Sequence, residues 1–557
     1  MGLLSWIRKR RGLALAVCLA LSVTMLAGCG GGSKGGGGSA GKKEALTIGM
    51  FNAPDSFNPL FNPGIAGQFT IRFMYDTLLG MPEINKFTPQ LANSIDTTDN
   101  QNFTIKLNEK AKWTDGKPVT ADDVVFTFNL IANPKVETTK GSYINMLEGT
   151  DSVGKRPDGT PIPDLVAVDE HTVTFRTKKP VDPNYLKSML GFEVYIVPKH
   201  VFEKIDPANI SNSDAVTKPT VTSGTYKFVS YKTNDHVELA ANEDYWGEVP
   251  AIKNVRFRPI TNEATRTATM LTGDVDFTID VSARDIDRLD ATEGISVIKQ
   301  KGLREIYLNL DSREDSPLFP GQKNPMSDVK VRQAMYLAID EGTIIKNIMN
   351  GCAYEMNSVV PEDYVGYTEV TREAYDPEKA KQLLAEAGYP DGFEVTLDAP
   401  NDRYMNDEQI AQAVAGYLEK VGIKVNLNLM PKANFFSYIK PLENKSMFLM
   451  TGWSDASGDG LSLMHDMLYT YNREAGDGGV NRGHYSNAQV DALIDQAFTE
   501  MDDTKRGELV AEADKIARED YAYIPLHFEQ DTYAIKDTLN YTPRMNKYVY
   551  AWEFSYK

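Results

Sequence analysis

Lys112-Trp113-Thr114-Asp115-Gly116-Lys117-Pro118-Val119-Thr120-Ala121-Asp122-Asp123-Val124 sets a tight turn directly before a helix start. Asp115-Gly116 offers the positive φ that such a turn needs. Thr120 can cap a helix with its hydroxyl, and Asp123, three residues on, completes a capping box. Val124, Val125, Phe128 and Ile131 then form a stripe to be buried. Upstream, Phe103-Thr104-Ile105-Lys106-Leu107 alternates as a strand does. Strand, turn and helix thus follow one another. Leu46-Thr47-Ile48-Gly49-Met50 reads as a first strand, and Ile71 to Leu79 as a helix with Phe73, Met74 and Leu78 inward.

The C-terminal half repeats the pattern. Asp376-Pro377 starts a helix that ends before Gly388. The strand Phe393 to Leu397 is followed by a helix, Gln409 to Val421, with Ile410, Val414, Tyr417, Leu418 and Val421 on one face and Gly422 as its stop. Ile423 to Leu427 and Met447 to Met450 are strands, and Leu461 to Leu468 is helical. Asn487 caps a helix bearing Val490, Leu493 and Ile494, and Thr504 caps another bearing Leu509 and Ile516. Ile524-Pro525-Leu526 enters a short final strand. Strands alternating with helices predict an α/β fold.

The chain has 557 residues, 42% of them hydrophobic and 24% charged, which suffices for two or three sub-domains. The net charge of -18 repels phosphate backbones and argues against a nucleic-acid partner. Arg8-Lys9-Arg10-Arg11 followed by the apolar run Leu13 to Leu26 has the form of a secretory leader, too short for a comfortable membrane span. It closes on Leu26-Ala27-Gly28-Cys29, which resembles a bacterial lipobox. That resemblance implies cleavage after residue 28, a lipid on Cys29 and a Gly/Ser-rich tether over residues 29–44. Cys18 and Cys29 fall in this region, so Cys352 is the one cysteine of the folded part and pairs with no other there.

His171, His200, His236, His465, His484 and His527 are scattered, with no H-E-x-x-H or H-x-H pair to hold zinc. Neither a G-x-S-x-G elbow nor a G-x-x-x-x-G-K-[ST] phosphate loop occurs. Carboxylates are abundant, and counting them decides nothing about an acid pair. We therefore expect no catalysis, metal or cofactor. Cys352, between Gly351 and Ala353, reads as a small buried hydrophobe.

Other blocks extend the opening stretch. Leu91-Ala92 precedes it, and Ser223-Gly224-Thr225-Tyr226-Lys227-Phe228, Asn242-Glu243-Asp244-Tyr245-Trp246 and Leu271-Thr272-Gly273-Asp274-Val275-Asp276 follow. Asp328-Val329-Lys330-Val331-Arg332-Gln333-Ala334 with Ala338-Ile339-Asp340, and Tyr375 to Ala380 with Ala387-Gly388-Tyr389, come next. In this order they resemble the family 5 extracellular solute-binding proteins, the periplasmic or lipid-anchored receptors of ABC importers. The resemblance covers most of residues 45–557. It implies a two-lobed, periplasmic-binding-protein type II-like α/β fold with an extra domain in the N-terminal lobe. We expect lobe I at 45–75, 197–303 and 525–557, the additional domain at 76–196, and lobe II at 304–524.

The site is expected after Leu449-Met450-Thr451-Gly452-Trp453-Ser454-Asp455. A carboxylate beside an indole at a strand end suits an ammonium, by charge-assisted hydrogen bonds and a cation–π face. The same residues also make an ordinary turn. In the family's dipeptide binders an aspartate just after the Gly-Trp pair holds the ligand amine, and an arginine about fifty residues earlier holds its carboxylate. Asp455 and Arg403 match those positions. Both follow strands of one α/β lobe, where ligands are expected. Trp453 is the expected cleft wall. The alternatives are a surface ion pair for Arg403 and a core anchor for Trp453. Tyr404 and the Ser56-Phe57-Asn58 loop, against a turn alone, and Arg482, a third cationic residue, are further candidates. The sequence departs from the family in Asp455-Ala456-Ser457-Gly458-Asp459-Gly460, which lacks a Pro that many members carry.

The resemblance implies a monomeric lipoprotein that closes on a short peptide or peptide-like solute and delivers it to a membrane permease, outside the cytoplasm. A metal chelate or another small organic solute is the alternative. An enzyme on the same scaffold, or a peptide-sensing module, is a rival from another class.

Overall fold

A computed structural model describes residues 45–54, 56–61, 65–439, 445–455 and 458–557. The leader, Cys29, the tether, and Ala456-Ser457 of the loop after Trp453 lie outside the described residues.

A single large sheet organises the chain. Its spatial order is Lys424–Met430, Glu394–Pro400, Phe448–Trp453, Ile295–Leu310, Tyr523–Lys536, Phe277–Ile279, Leu46–Met50, Asn254–Pro259, His236–Ala241 and Tyr226–Lys232. Leu46–Met50 is parallel to Asn254–Pro259 and Phe277–Ile279 on one side, and Glu394–Pro400 is parallel to Lys424–Met430 and Phe448–Trp453 on the other. Between these two parallel groups run two long antiparallel strands, Ile295–Leu310 and Tyr523–Lys536, which cross from one half to the other. Parallel strands need helical crossovers, so each group carries helices, whereas the central pair only has to pass through.

Alternation along the first crossing strand assigns its neighbours. Ile306, Leu308 and Leu310 join a core with helices Val329–Leu337, Pro377–Glu386 and Asp407–Glu419. Leu303 and Tyr307 join another, under helices Gly460–Leu468, Ala488–Thr499 and Asp503–Glu519. The N-terminal half of the sheet has its own core, from Leu46 to Phe554. A further core between Leu60 and Val216 fills the space beside a four-stranded antiparallel sheet, in the order Ala92–Thr97, Asn102–Leu107, Thr172–Arg176 and Val166–Asp169.

The opening stretch folds as read. Lys112 bridges Pro118, Gly116 has φ 86, and Thr120 with Asp123 forms the capping box of helix Ala121–Ala132. Asp123 also receives the Trp113 indole N–H at 3.3 Å and the Lys199 amide at 2.8 Å, so one carboxylate ties the turn, the helix and a later segment.

Three readings are corrected. The helix expected over Ile71 to Leu79 spans Ile65–Met74, and Leu79 opens a strand. Gly224 approaches so near that a Cβ there would meet the Met74 carbonyl carbon at 2.5 Å, and its amide closes the helix end on the Met74 oxygen. Asp502, not Thr504, caps Asp503–Glu519, because a carboxylate takes both the Thr504 and Lys505 amides. The segment at Ile524 is neither short nor final. It is the crossing strand Tyr523–Lys536, and Leu539–Asn540 pairs with Ser555–Tyr556 beyond it.

Candidate functional site

The crossing strands fail to keep register where the two halves meet. Lys301 faces Gln530 and Glu305 faces Phe528, so Gly302, Leu303 and Arg304 together oppose Glu529. A bulge of this kind bends the strand and re-aims its side chains. Leu303 and Arg304 thereby enter a cleft of about 1310 Å³. That is larger than the usual pocket for a drug-sized ligand.

The cleft is walled from three parts of the chain. Tyr143, Met146, Asp182, Tyr185 and Glu193 come from the region of the four-stranded sheet, Phe69, Asp531, Lys547 and Tyr548 from the N-terminal half of the large sheet, and Trp453, Asp455, Leu461, Asp466, Phe498 and Arg506 from the other half.

One end is acidic. Trp453 ends strand Phe448–Trp453, half-buried, and Asp455 follows two residues on. Gly452 is required before it. A Cβ there would meet the Glu305 carbonyl oxygen at 2.7 Å and the Tyr404 ring at 3.0 Å. The Tyr364 hydroxyl donates to the Asp455 carbonyl oxygen. Tyr185 reaches the same place from the opposite wall. Burial, then the charges of Asp455, Asp466 and Asp459, hold its hydroxyl protonated as a neutral donor. Asp466 is pushed up to about 7 by burial and by Asp455.

Another part of the cleft carries cations, each already paired. Arg304 lies 3.2 Å from Glu529, and Lys547 lies 3.1 Å from Asp531 and contacts Asp280. Burial lowers the Lys547 pKa, but Asp280 and Asp531 outweigh it and hold the ammonium charged.

The expected residues divide. Trp453 and Asp455 line the cleft together. Arg403 stands behind Arg304. The two guanidinium groups lie 5.2 and 6.0 Å from the centre of the Tyr404 ring, and burial followed by repulsion from Arg304 lowers the Arg403 pKa. Tyr404 is a brace rather than a wall. It is buried, accepts the Gly452 amide at 2.8 Å, and fixes the Gly-Trp pair from beneath. Ser56 and Asn58 turn inward on their own loop, Ser56 Oγ taking the Asn58 amide and Asn58 Oδ1 the Leu60 amide. Arg482 donates to the Val480 carbonyl at 3.3 Å and acts on Tyr307. Arg403, Tyr404, Ser56, Asn58 and Arg482 are thus absent from the wall described above.

Arg304, Lys547, Tyr185 and Asp466 were not found from sequence. Arg304 owes its position to a register shift, and Lys547 and Tyr185 arrive from distant segments. Only Asp466 left a signal, as an acidic residue on the helix that follows Asp455.

Among the described residues no group of three or more His, Cys, Asp or Glu could hold a metal ion, and no helix is long and apolar enough to cross a membrane. Cys352 is fully buried, in a core with Met270, Val275 and Ala534.

Residues 86–475 match the model of the bacterial extracellular solute-binding proteins, family 5 Middle, and the chain belongs to that family. It is 25% identical over 566 residues to the oligopeptide-binding protein AppA of Bacillus subtilis, spanning 97% of this chain and 98% of that protein. It is 27% identical over 514 residues to the periplasmic oligopeptide-binding protein OppA of Salmonella typhimurium, 89% of each. The solved structure of AppA from Bacillus subtilis in complex with a nonapeptide matches with a TM-score of 0.74 at 23% identity, over 92% of this chain and 99% of that one. DppA from Helicobacter pylori in complex with the peptide STSA matches with a TM-score of 0.73 at 22% identity, over 92% and 98%. The fold is therefore the two-lobed α/β architecture of these binding proteins.

Proposed function

We propose that this chain is the peptide receptor of an ABC importer. The observation that carries the reading is the cleft itself. It is walled by distant parts of the chain, exceeds the volume of a small-ligand pocket, and places Asp455 beside the Trp453 indole. In this reading Asp455 takes the ligand ammonium, Trp453 and Tyr185 flank it, and Arg304 replaces Arg403 as the cation nearest the ligand carboxylate. Relatives named for oligopeptide binding support a peptide as the solute. The role is capture and delivery to a permease, without catalysis.

Lobe I takes 45–75, 197–303 and 525–557, lobe II takes 304–524, and 76–196 is the additional domain. The register shift at Gly302 to Arg304 lies on the boundary and supports a hinge there. A ligand touching both lobes favours the closed form, and only differential contact can do so. The protein acts as a monomer, held outside the cytoplasm by the lipid on Cys29.

Native mass spectrometry of material bound on purification, followed by calorimetry with the peptide found, tests the function. Asp455→Ala is expected to weaken binding of an amine-bearing ligand by about 2–5 kcal/mol, because a buried cation loses its partner. Unchanged affinity would refute the amine role. Cys29→Ser is expected to move the protein from the membrane fraction to the soluble one. Retention in membranes would overturn the lipid anchor.

A further inference from the structure

Among the described residues, 76–196 give no strand to the large sheet. Their ties to residues 304–524 are therefore contacts that can form and break. Two of these ties end on adjacent residues. Arg506 joins Asp182 at 2.9 Å to Asp459 at 3.1 Å, and Asn85 donates through Nδ2 to the Gly458 carbonyl oxygen at 2.6 Å. Gly458 and Asp459 belong to the loop that carries Asp455, between strand Phe448–Trp453 and helix Gly460–Leu468.

Asn85 stands at the tip of a hairpin made by strands Leu79–Glu83 and Lys86–Pro89. Its φ of 59 suits the two-residue turn that it forms with Ile84. The base of the hairpin is fixed away from the loop. Met81 shares a small core with Phe192 and Tyr550, and its carbonyl oxygen takes Arg544 Nη1 at 2.7 Å. Ile84 packs on that core and also on the core against which Trp453 lies. Gly458 leaves room for the tip, since a Cβ there would run into Ile84 and lie 2.8 Å from Asn85 Cγ. From the other side, the Val365 amide reaches the same Gly458 oxygen at 3.4 Å, the Val365 carbonyl takes the Gly460 amide at 3.0 Å, and the Tyr364 hydroxyl holds the Asp455 carbonyl. The site loop is thus clamped between residues 364–365 and the hairpin tip.

Resting on the peptide-receptor reading above, we infer that hairpin 79–89 is a latch on the ligand site and that Asn85 is a positioning residue, which holds the Asp455 loop in the closed form. Asn85 is not part of the cleft wall and touches no ligand. When the lobes part about the register shift at 302–304, the base of the hairpin stays with Phe192, Arg544 and Tyr550, and the bond to Gly458 breaks. Ligand on Asp455 and the hairpin tip on Gly458 grip one short loop, so each favours the other. Contacts made in the closed form alone slow the release of ligand and leave its capture by the open form unchanged.

Stopped-flow binding and thermal unfolding of the full chain test the latch, with the peptides Ala-Leu-Ala and Ala-Leu-Ala-Leu-Ala as probes. Both carry a free amine for Asp455 and no side-chain charge. Asn85→Gly keeps a residue suited to the left-handed turn and removes the amide donor. It is expected to raise the dissociation rate about two- to tenfold, the worth of one hydrogen bond, with the association rate and the ligand-free melting temperature unchanged. Asn85→Asp, which sets a carboxylate against the same carbonyl, should raise the dissociation rate at least as much. A lowered ligand-free melting temperature with an unchanged dissociation rate would make the hairpin a fixed part of the scaffold. That result overturns the latch and leaves the peptide receptor standing, as does a glycine variant indistinguishable from wild type. Failure of the wild-type protein to bind either peptide overturns the receptor reading, and the latch with it.

Discussion

Asp76 shows what burial does to a single charge. It is 1% exposed and accepts hydrogen bonds from Gln90 at 2.8 Å and Tyr245 at 3.0 Å. Burial outweighs both bonds and raises its pKa to about 7. A carboxylate whose pKa is higher in the folded state binds more protons there than in the unfolded chain. Its stabilising contribution is therefore complete below the unfolded value and is lost as pH rises through about 7. Asp76→Asn should remove that slope. Between pH 4 and 8 the stability of the wild-type protein should fall relative to the variant by on the order of 4 kcal/mol. Denaturant unfolding at several pH values measures this, and parallel profiles would show that Asp76 is ionised throughout. Asp455 belongs to the same scale. Its type and place after Gly452-Trp453 were legible from the chain alone, whereas Glu305, alternating with apolar neighbours on a strand, gave no sign that it would be fully buried opposite Trp453.

At the scale of elements, helices with clear caps and one apolar face were readable. Asp376 caps Pro377–Glu386 and Asn487 caps Ala488–Thr499, as local chemistry requires. The crossing strands were not. Ile524-Pro525-Leu526 reads as a short strand because a proline interrupts it, yet fourteen residues continue as one strand. Pairing with Ile295–Leu310 holds it together, and a shift between Ile306 and Tyr307 accommodates the change. Gly302 is the tight point of this pair. A Cβ there would lie 2.7 Å from the Glu529 carbonyl oxygen. Gly302→Ala should cost roughly 1–3 kcal/mol of stability and displace Arg304 from the cleft. Thermal unfolding checks the first effect and peptide affinity the second. An unaltered melting temperature would show that the bulge absorbs the methyl group.

The whole molecule depends on contacts between regions far apart in sequence. Arg506 is the clearest of them. It is fully buried on helix Asp503–Glu519, 2.9 Å from Asp182 beside the four-stranded region and 3.1 Å from Asp459 before helix Gly460–Leu468. Burial lifts Asp459 to about 6 even against the pull of Arg506. Removing the cation would take the guanidinium from two buried carboxylates, which typically costs about 3–5 kcal/mol. Arg506→Met should therefore destabilise the protein by about that amount and favour an open arrangement of the cleft. Denaturant unfolding reads the loss, and small-angle scattering should give a larger radius of gyration. An unchanged radius with lowered stability would confine Arg506 to a structural role.

The sequence by itself determined the α/β class, the caps and turns, and the family blocks in their order. These are local matters, fixed by φ preferences, capping groups and periodicity within a few residues. It also placed Trp453 and Asp455, because a strand end with a Gly-Trp pair is a local pattern. Only the tertiary structure decided which cation meets the cleft. Arg403 and Arg304 are equally charged in the sequence, and they pack against the same tyrosine ring. A three-residue bulge puts Arg304 in front and leaves Arg403 behind. Register between strands more than two hundred residues apart has no local code, so neither that choice nor the meeting of Tyr185 and Asp466 with Asp455 in one cleft could be read before the chain was folded.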